Sequence, residues 1–238
     1  MDYNKEKCSQ WTEYYLSQKG NYLFPNEQVI RIFLGNYPEL SLDKDYKNKR
    51  CCDVSCGDGR NIVLLERLGF EVWGTEISEQ ICLSNKRIID DLLPNNSTRF
   101  CVSKNDDIKF DDHFFNYLLA WNSIYYLSDP NQNIKENIEE HSRVLKKGGF
   151  LICSIPSPKC YSLQNSEKVG REGNFRLNPV LNTWGGGLLQ NTIIHKFETF
   201  ENIEDKFGNN FTNFRNCVVS NTCFGQYLEH FIFVCQKK

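Results

Sequence analysis

The chain has little net charge: 28 Lys and Arg against 30 Asp and Glu leave a formal −2 over 238 residues. So weak a field does not hold a polyanion by itself, and nucleic acid is not expected as the main partner. Runs of about 18 apolar residues are also missing, so no membrane span is expected. The polar opening Met1-Asp2-Tyr3-Asn4-Lys5-Glu6 does not read as a secretory signal. Eleven cysteines include no Cys-x-x-Cys pair, so neither a zinc ribbon nor a redox motif is written and no metal is expected. The thiols, with Cys51 and Cys52 side by side, read as small apolar side chains kept reduced, and a cytoplasmic protein is expected. What is present, 40% hydrophobic residues and 13% aromatics, suits one folded globule.

The most informative stretch runs from Arg50 to Glu76. It reads as a short buried strand ending at Asp53, a tight loop Val54-Ser55-Cys56-Gly57-Asp58-Gly59, an amphipathic helix over 61–68 stopped by Gly69, and a second strand that closes on the carboxylate Glu76. Gly57 and Gly59 take φ > 0 without a Cβ penalty and let a ligand approach the backbone. Glu76 sits at the carboxyl edge, where open α/β sheets bind ligands, and suits both hydroxyls of a ribose.

Asp53-Val-Ser55-Cys-Gly57-Asp-Gly59 resembles the first motif of class I S-adenosylmethionine-dependent methyltransferases, acidic-x-Gly-x-Gly-x-Gly, with Ser55 in place of the first glycine. A dinucleotide fingerprint would need a third glycine that this loop lacks. Later segments resemble the family at matching intervals. Asn105-Asp106-Asp107-Ile108 follows the third strand, expected over 98–102, and the resemblance assigns adenine contacts to Asp107 and Ile108, with the register of the two aspartates open by one. Asn116 stands where the family has Asp. Trp121-Asn122, after a fourth strand over 117–121, corresponds to the segment beside adenine and the transferable methyl. Arg143-Val-Leu-Lys-Lys-Gly148-Gly149-Phe150 is similar to the turn into the fifth strand, with Gly148 expected to end the helix.

The resemblance implies an α/β fold: a Rossmann-like, seven-stranded, mostly parallel sheet of order 3-2-1-4-5-7-6 with an antiparallel edge hairpin and helices on both faces. It implies S-adenosylmethionine as cofactor, S-adenosylhomocysteine as product, and Asp53, Ser55, Cys56, Gly57, Gly59, Glu76, Ile77, Asp107, Ile108, Trp121, Asn122 and Tyr22 as its contacts. Residues 1–24 form an arm whose rings, Trp11, Tyr14, Tyr15, Tyr22 and Phe24, either pack on the core or lie as a flap over the cofactor. Residues 25–238 form one domain. A helix opening at Pro25-Asn26-Glu27 presents Val29, Ile30, Phe33 and Leu34 to the sheet, and Ser78 caps a later one.

From Pro156 to Thr192 periodicity disappears, which marks a lid or substrate loop. Its cations Lys159, Lys168, Arg171 and Arg176 suit an acidic or phosphorylated acceptor, and Trp184-Gly185-Gly186-Gly187 suits a hinge. His141 shares an apolar helix face and reads as a core residue. His195, just after the lid, is the candidate base if a hydroxyl must lose its proton. The expected reaction is methyl transfer to a small polar acceptor through oxygen. Two other readings stay open: a cofactor-binding partner subunit with a decayed pocket, and another nucleotide-using enzyme such as an aminopropyltransferase.

Overall fold

The computed structural model describes residues 3–17, 23–40, 42–178 and 186–238. Its centre is a seven-stranded sheet. Strand β1 (Arg50–Asp53) is flanked by β2 (Glu71–Glu76) and then β3 (Arg99–Val102) on one side, and by β4 (Phe115–Trp121) and β5 (Leu145–Pro156) on the other. All four of those pairings are parallel. The adjacent cysteines show why β1 is central: both are fully buried, Cys52 in the hydrophobic cluster on one face and Cys51 in the cluster on the other. Side chains alternate across a strand, so two small apolar neighbours serve two cores.

The crossovers are helical. Helix α1 (Tyr3–Ser17) precedes α2 (Glu27–Leu34), while α3 (Ile62–Arg67), α4 (Glu79–Leu92) and α5 (Ile134–Val144) connect the parallel strands. Asn26 caps α2 by accepting the Gln28 N–H at 3.0 Å, and Asn133 and Glu136 form a capping box on α5. Helix α2 buries Val29, Ile32 and Phe33; Leu34, expected on that face, is half exposed. Phe33 lies in an aromatic cluster with Tyr46, Phe70 and Tyr117, and truncating such a ring to alanine costs about 3–5 kcal/mol. Ser78 precedes α4 with extended backbone, yet its side chain makes no capping bond.

Gly148 is not a helix terminator. α5 ends at Val144, β5 begins at Leu145, and the register between β4 and β5 jumps between the Phe115–Leu145 and Tyr117–Phe150 pairs. Gly148, at φ +74°, lies in the bulge between them. Asn116 sits at that jump: its side-chain oxygen accepts the Arg50 N–H at 3.0 Å and so ties the start of β1 to β4.

The described residues of the segment expected as a lid or substrate loop carry secondary structure. β6 (Glu167–Lys168), β7 (Asn174–Arg176) and β8 (Ile193–His195) form a separate antiparallel sheet, with helix α6 (Gly186–Leu189) before β8 and a 3₁₀ turn at Tyr161–Leu163. Strands of two or three residues are too short to show a period of two, so the pattern was invisible in sequence. Of the glycine run, Gly186 and Gly187 open α6; Trp184 and Gly185 lie outside the described residues. After α7 (Phe200–Phe207), β9 (Phe211–Cys223) and β10 (Gln226–Lys237) close the sheet as an antiparallel hairpin, with β10 beside β5. The order β3-β2-β1-β4-β5-β10-β9 is the expected topology.

Candidate functional site

At the carboxyl ends of β1, β2 and β4 the chain encloses a cavity of about 860 Å³. One end is the glycine loop. Ser55, Gly57 and Gly59 all have positive φ, at +55°, +60° and +77°. Ser55 therefore occupies the backbone conformation of the glycine it replaces, at a steric cost of about 1–2 kcal/mol. The Ser55 N–H donates to the Thr75 hydroxyl at 3.1 Å and the Cys56 N–H to the Thr75 carbonyl at 2.9 Å, which pins the loop to β2.

Glu76 joins both elements. One carboxylate oxygen accepts the Gly57 N–H at 2.8 Å, and the other accepts the Ile77 N–H at 2.9 Å. Burial pushes its carboxyl up to about 7, against the lowering pull of those two amides. A carboxylate offers about four lone-pair sites, so two remain for hydroxyl donors. Asp53 sits beneath the loop and off the cavity wall. It is buried, burial and the nearby Asp58 raise its carboxyl well above the usual range, and its Oδ2 has no partner among the described residues. Cys56 lines the cavity, but burial raises its thiol strongly, so it is no thiolate nucleophile.

Opposite the loop the structure decides between the two aspartates whose register the sequence left open by one. Asp107 and Ile108 do not line the cavity. The Asp107 carboxylate turns outward to pair with Lys109, and the Ile108 N–H is already taken by Glu140 at 2.9 Å. Arg143 reinforces this arrangement, donating to the carbonyls of Ile108 and Phe110 and pairing with Glu140 and Asp112. The wall is formed instead by Ser103, Lys104, Asn105 and Asp106. Asp106 accepts from Gln132 at 3.2 Å through Oδ2, while its Oδ1 is buried and unpartnered among the described residues. A turn closed by paired Lys104 and Asp107 backbone groups decides which aspartate faces inward. Trp121, Asn122 and Ser123 continue the wall, and the buried Ser123 hydroxyl is likewise unpartnered. Ile77 lines the cavity beside Glu76.

Helix α1 contributes Lys7, Trp11, Tyr14 and Tyr15. The Tyr15 hydroxyl stands over Gly57 so closely that a Cβ there would fall 2.7 Å from it. Trp11 stacks on Tyr15 with centroids 5.8 Å apart and meets Tyr126 edge-on at 5.7 Å. Lys7, whose ammonium burial lowers to about 8, donates to the Gln190 carbonyl and so ties α1 to the segment after α6. The spacing of Trp11, Tyr14 and Tyr15, one turn of helix, was the legible signal for this face. Tyr22 lies outside the described residues.

The remaining end is apolar, with Tyr125, Tyr126, Cys160, Tyr161, Leu188 and Leu189 on its walls and the β9–β10 hairpin across from them. His195 is not on this wall. It is buried in β8, its Nδ1 lies 3.0 Å from the Asn174 side-chain oxygen, and burial with the nearby Lys206 lowers its imidazolium to about 4. It is a packing residue of the small sheet, so the role of base does not fall on it. His141 is the expected core histidine, with Nδ1 2.7 Å from the Asn137 carbonyl. None of Lys159, Lys168, Arg171 and Arg176 lines the cavity, which removes the support they gave to an acidic or phosphorylated acceptor. Lys159 pairs with Glu229 and Arg171 donates to the Asn131 carbonyl.

Gly59, expected as a contact, is off the cavity wall and faces Asn85. The observed cradle fits an adenosine-type group: the positive-φ loop at Ser55 and Gly57, the Glu76 carboxylate with lone pairs to spare, and walls from Ser103 to Asp106 and from Trp121 to Ser123. Comparison with known proteins agrees. A family model described as a methyltransferase domain matches residues 25–213. No curated protein sequence matches. Among solved structures, the PH0226 protein of Pyrococcus horikoshii OT3 is 19% identical, with 95% of this chain and 99% of that one covered at TM-score 0.61. A SAM-dependent methyltransferase of Methanosarcina mazei is 19% identical, covering 85% and 98% at TM-score 0.60. A chain from the complex of the Haloferax volcanii Trm112 methyltransferase activator with a methyltransferase is 13% identical, covering 95% and 97% at TM-score 0.62. At such identities the likenesses establish the fold, and the family model carries the rest: the chain belongs to the methyltransferase domain family, a class I enzyme that uses S-adenosylmethionine.

Proposed function

We propose that this enzyme methylates an oxygen of a small acceptor held in the apolar end of the cavity, with α1 acting as a flap across the cofactor. The observation that carries the reading is the shape of the cavity: one partly open space of about 860 Å³ is lined both by the glycine loop and by the aromatic walls. Cavities of about 300–1,000 Å³ suit small molecules.

The bound cofactor supplies an electrophilic methyl on sulfur. The chain's own task is to hold the reactants in line and keep water out. In the proposed arrangement the loop over Ser55 to Asp58 borders the cofactor, with Gly57 leaving room for Tyr15 above it, Glu76 accepts the ribose hydroxyls, and Asn105 and Asp106 face the base. Trp121 and Asn122 flank it, and Trp11 and Tyr15 cover it.

The test has two arms. Calorimetry is expected to show tight binding of S-adenosylmethionine and S-adenosylhomocysteine. Release of S-adenosylhomocysteine is then followed across a panel of small alcohols, phenols, amines and carboxylic acids, with RNA and a protein mixture as controls. Turnover confined to hydroxyl compounds supports the proposal; turnover only with amines, RNA or protein overturns it.

A further inference from the structure

The four histidines of the chain differ in one respect. His113, His141 and His195 each place Nδ1 within 3.1 Å of an oxygen: the Leu145 carbonyl, the Asn137 carbonyl and the Asn174 side chain. His230 has no hydrogen-bond or charged partner among the described residues, and it alone of the four lines the cavity.

Its position follows from strand alternation. On β10, Gln226, Leu228 and His230 face the cavity. Tyr227 and Glu229 lie on the opposite side, where their side chains bond to each other at 2.7 Å and Glu229 accepts from Ser157. The ring is held in place by pairing of its residue with Pro156 on β5 and Val219 on β9. Burial lowers its imidazolium from the ordinary histidine value, which favours the neutral ring, and a neutral imidazole has one nitrogen free to accept a proton.

The space before it has a definite chemistry. Trp11, Tyr125, Tyr126, Tyr161 and Phe224 supply flat apolar surface to the cavity that His230 lines. Flat rings with few polar groups suit an aromatic guest. A neutral amine needs no base before it attacks, whereas a hydroxyl does.

Resting on the methyl-transfer reading above, we propose that His230 is the catalytic base for an aromatic hydroxyl acceptor bound between these rings. The O–H proton passes to the free ring nitrogen as an oxygen lone pair bonds the methyl carbon. The carbon–sulfur bond breaks with its electron pair going to sulfur, which neutralises the sulfonium charge. The imidazolium then returns its proton to water.

The test uses the enzyme loaded with S-adenosylhomocysteine, and 4-nitrophenol, whose ionised and neutral forms have distinct absorption. Wild type is expected to hold a larger ionised fraction than free solution at the same pH, and His230→Gln to lose that excess while binding S-adenosylhomocysteine normally. In turnover, His230→Gln is expected to lose about 10²–10⁴-fold with phenol and 2-naphthol. The loss should be under about tenfold with 4-nitrophenol above its own ionisation pH, where no base is needed. Binding of 4-nitrophenol to wild type without excess ionisation overturns the proposal, and this arm does not depend on how the variant folds. Equal losses for all three acceptors, or no binding of any of them, also overturn it. If S-adenosylhomocysteine binds in the same experiment, the failure belongs to His230 and the acceptor class; if it does not, the failure belongs to the cofactor reading.

Discussion

The two ends of the cavity are built by different means. The cofactor end hangs from the carboxyl ends of β1, β2 and β4, and its loop backbone is fixed by side chains of β2 and α4: Gly57 N–H to the Glu76 carboxylate, Ser55 N–H to the Thr75 hydroxyl, and the Asn85 amide to the Gly57 carbonyl. The acceptor end is assembled from α1, α6, the segment after β5 and the β9–β10 hairpin, elements remote from one another in the chain. It is held by ring packing and by single links such as Lys7 to the Gln190 carbonyl. The cofactor end is thus tied together within the stretch from β1 to α4, while the proposed acceptor end joins pieces from both ends of the chain.

This contrast breaks most readily at Glu76. Glu76→Ala removes a buried acceptor of two backbone amides, and a charge-assisted bond of this kind contributes about 1.5–3 kcal/mol. S-adenosylhomocysteine affinity measured by calorimetry is expected to fall at least tenfold, whereas Leu189→Ala at the acceptor end should leave it within a few-fold. Because the folded carboxyl titrates near 7, above its ordinary value, wild-type affinity is expected to rise with pH through that region as the ionised acceptor forms. Binding at pH 6 should release a proton, and Glu76→Gln should abolish both effects. An affinity indifferent to these changes removes Glu76 from the cofactor end.

His195→Ala is expected to act on stability alone. It leaves the buried Asn174 side chain without its 3.0 Å partner, at a cost of about 1–3 kcal/mol by denaturant unfolding, with cofactor affinity unchanged. A variant that kept its stability but lost turnover would return this residue to the site. The smallest effect is expected at Ser55. Ser55→Gly relieves a non-glycine residue at φ +55° and should raise the melting temperature by about 2–4 °C, since about 1 kcal/mol shifts a chain of this size by that much. A lowered melting temperature would mean that the weak Ser55 Oγ contact with Asn105, at 3.4 Å, outweighs the strain.

Much of the fold was legible because its signals are local. Cys51-Cys52 marked a strand buried on both faces, and the alternation of strand and helix through residue 156 implied the parallel order. The positive φ of Gly57 and Gly59 follows from residue type, and that of Ser55 from its place in the motif. The misplacements share a cause. Asp107 and Asp106 are adjacent and chemically alike, and only a turn closed at Lys104 and Asp107, with Arg143 and Glu140 gripping the following loop, turns one inward. His195 ends β8 and His230 lies inside β10, and nothing near either in sequence says which ring faces the cavity.

The amino-acid sequence by itself determined the parallel strands and the glycine loop, because hydrophobic period, glycine conformation and strand length act over a few residues, while the order of the strands came from the resemblance to the family. Tertiary structure alone decided which side chains enclose the acceptor. That choice depends on the register of β10 against β5, on the small sheet of β6, β7 and β8, and on the side chains that α1 brings to the cavity wall, all of them pairings between distant parts of the chain.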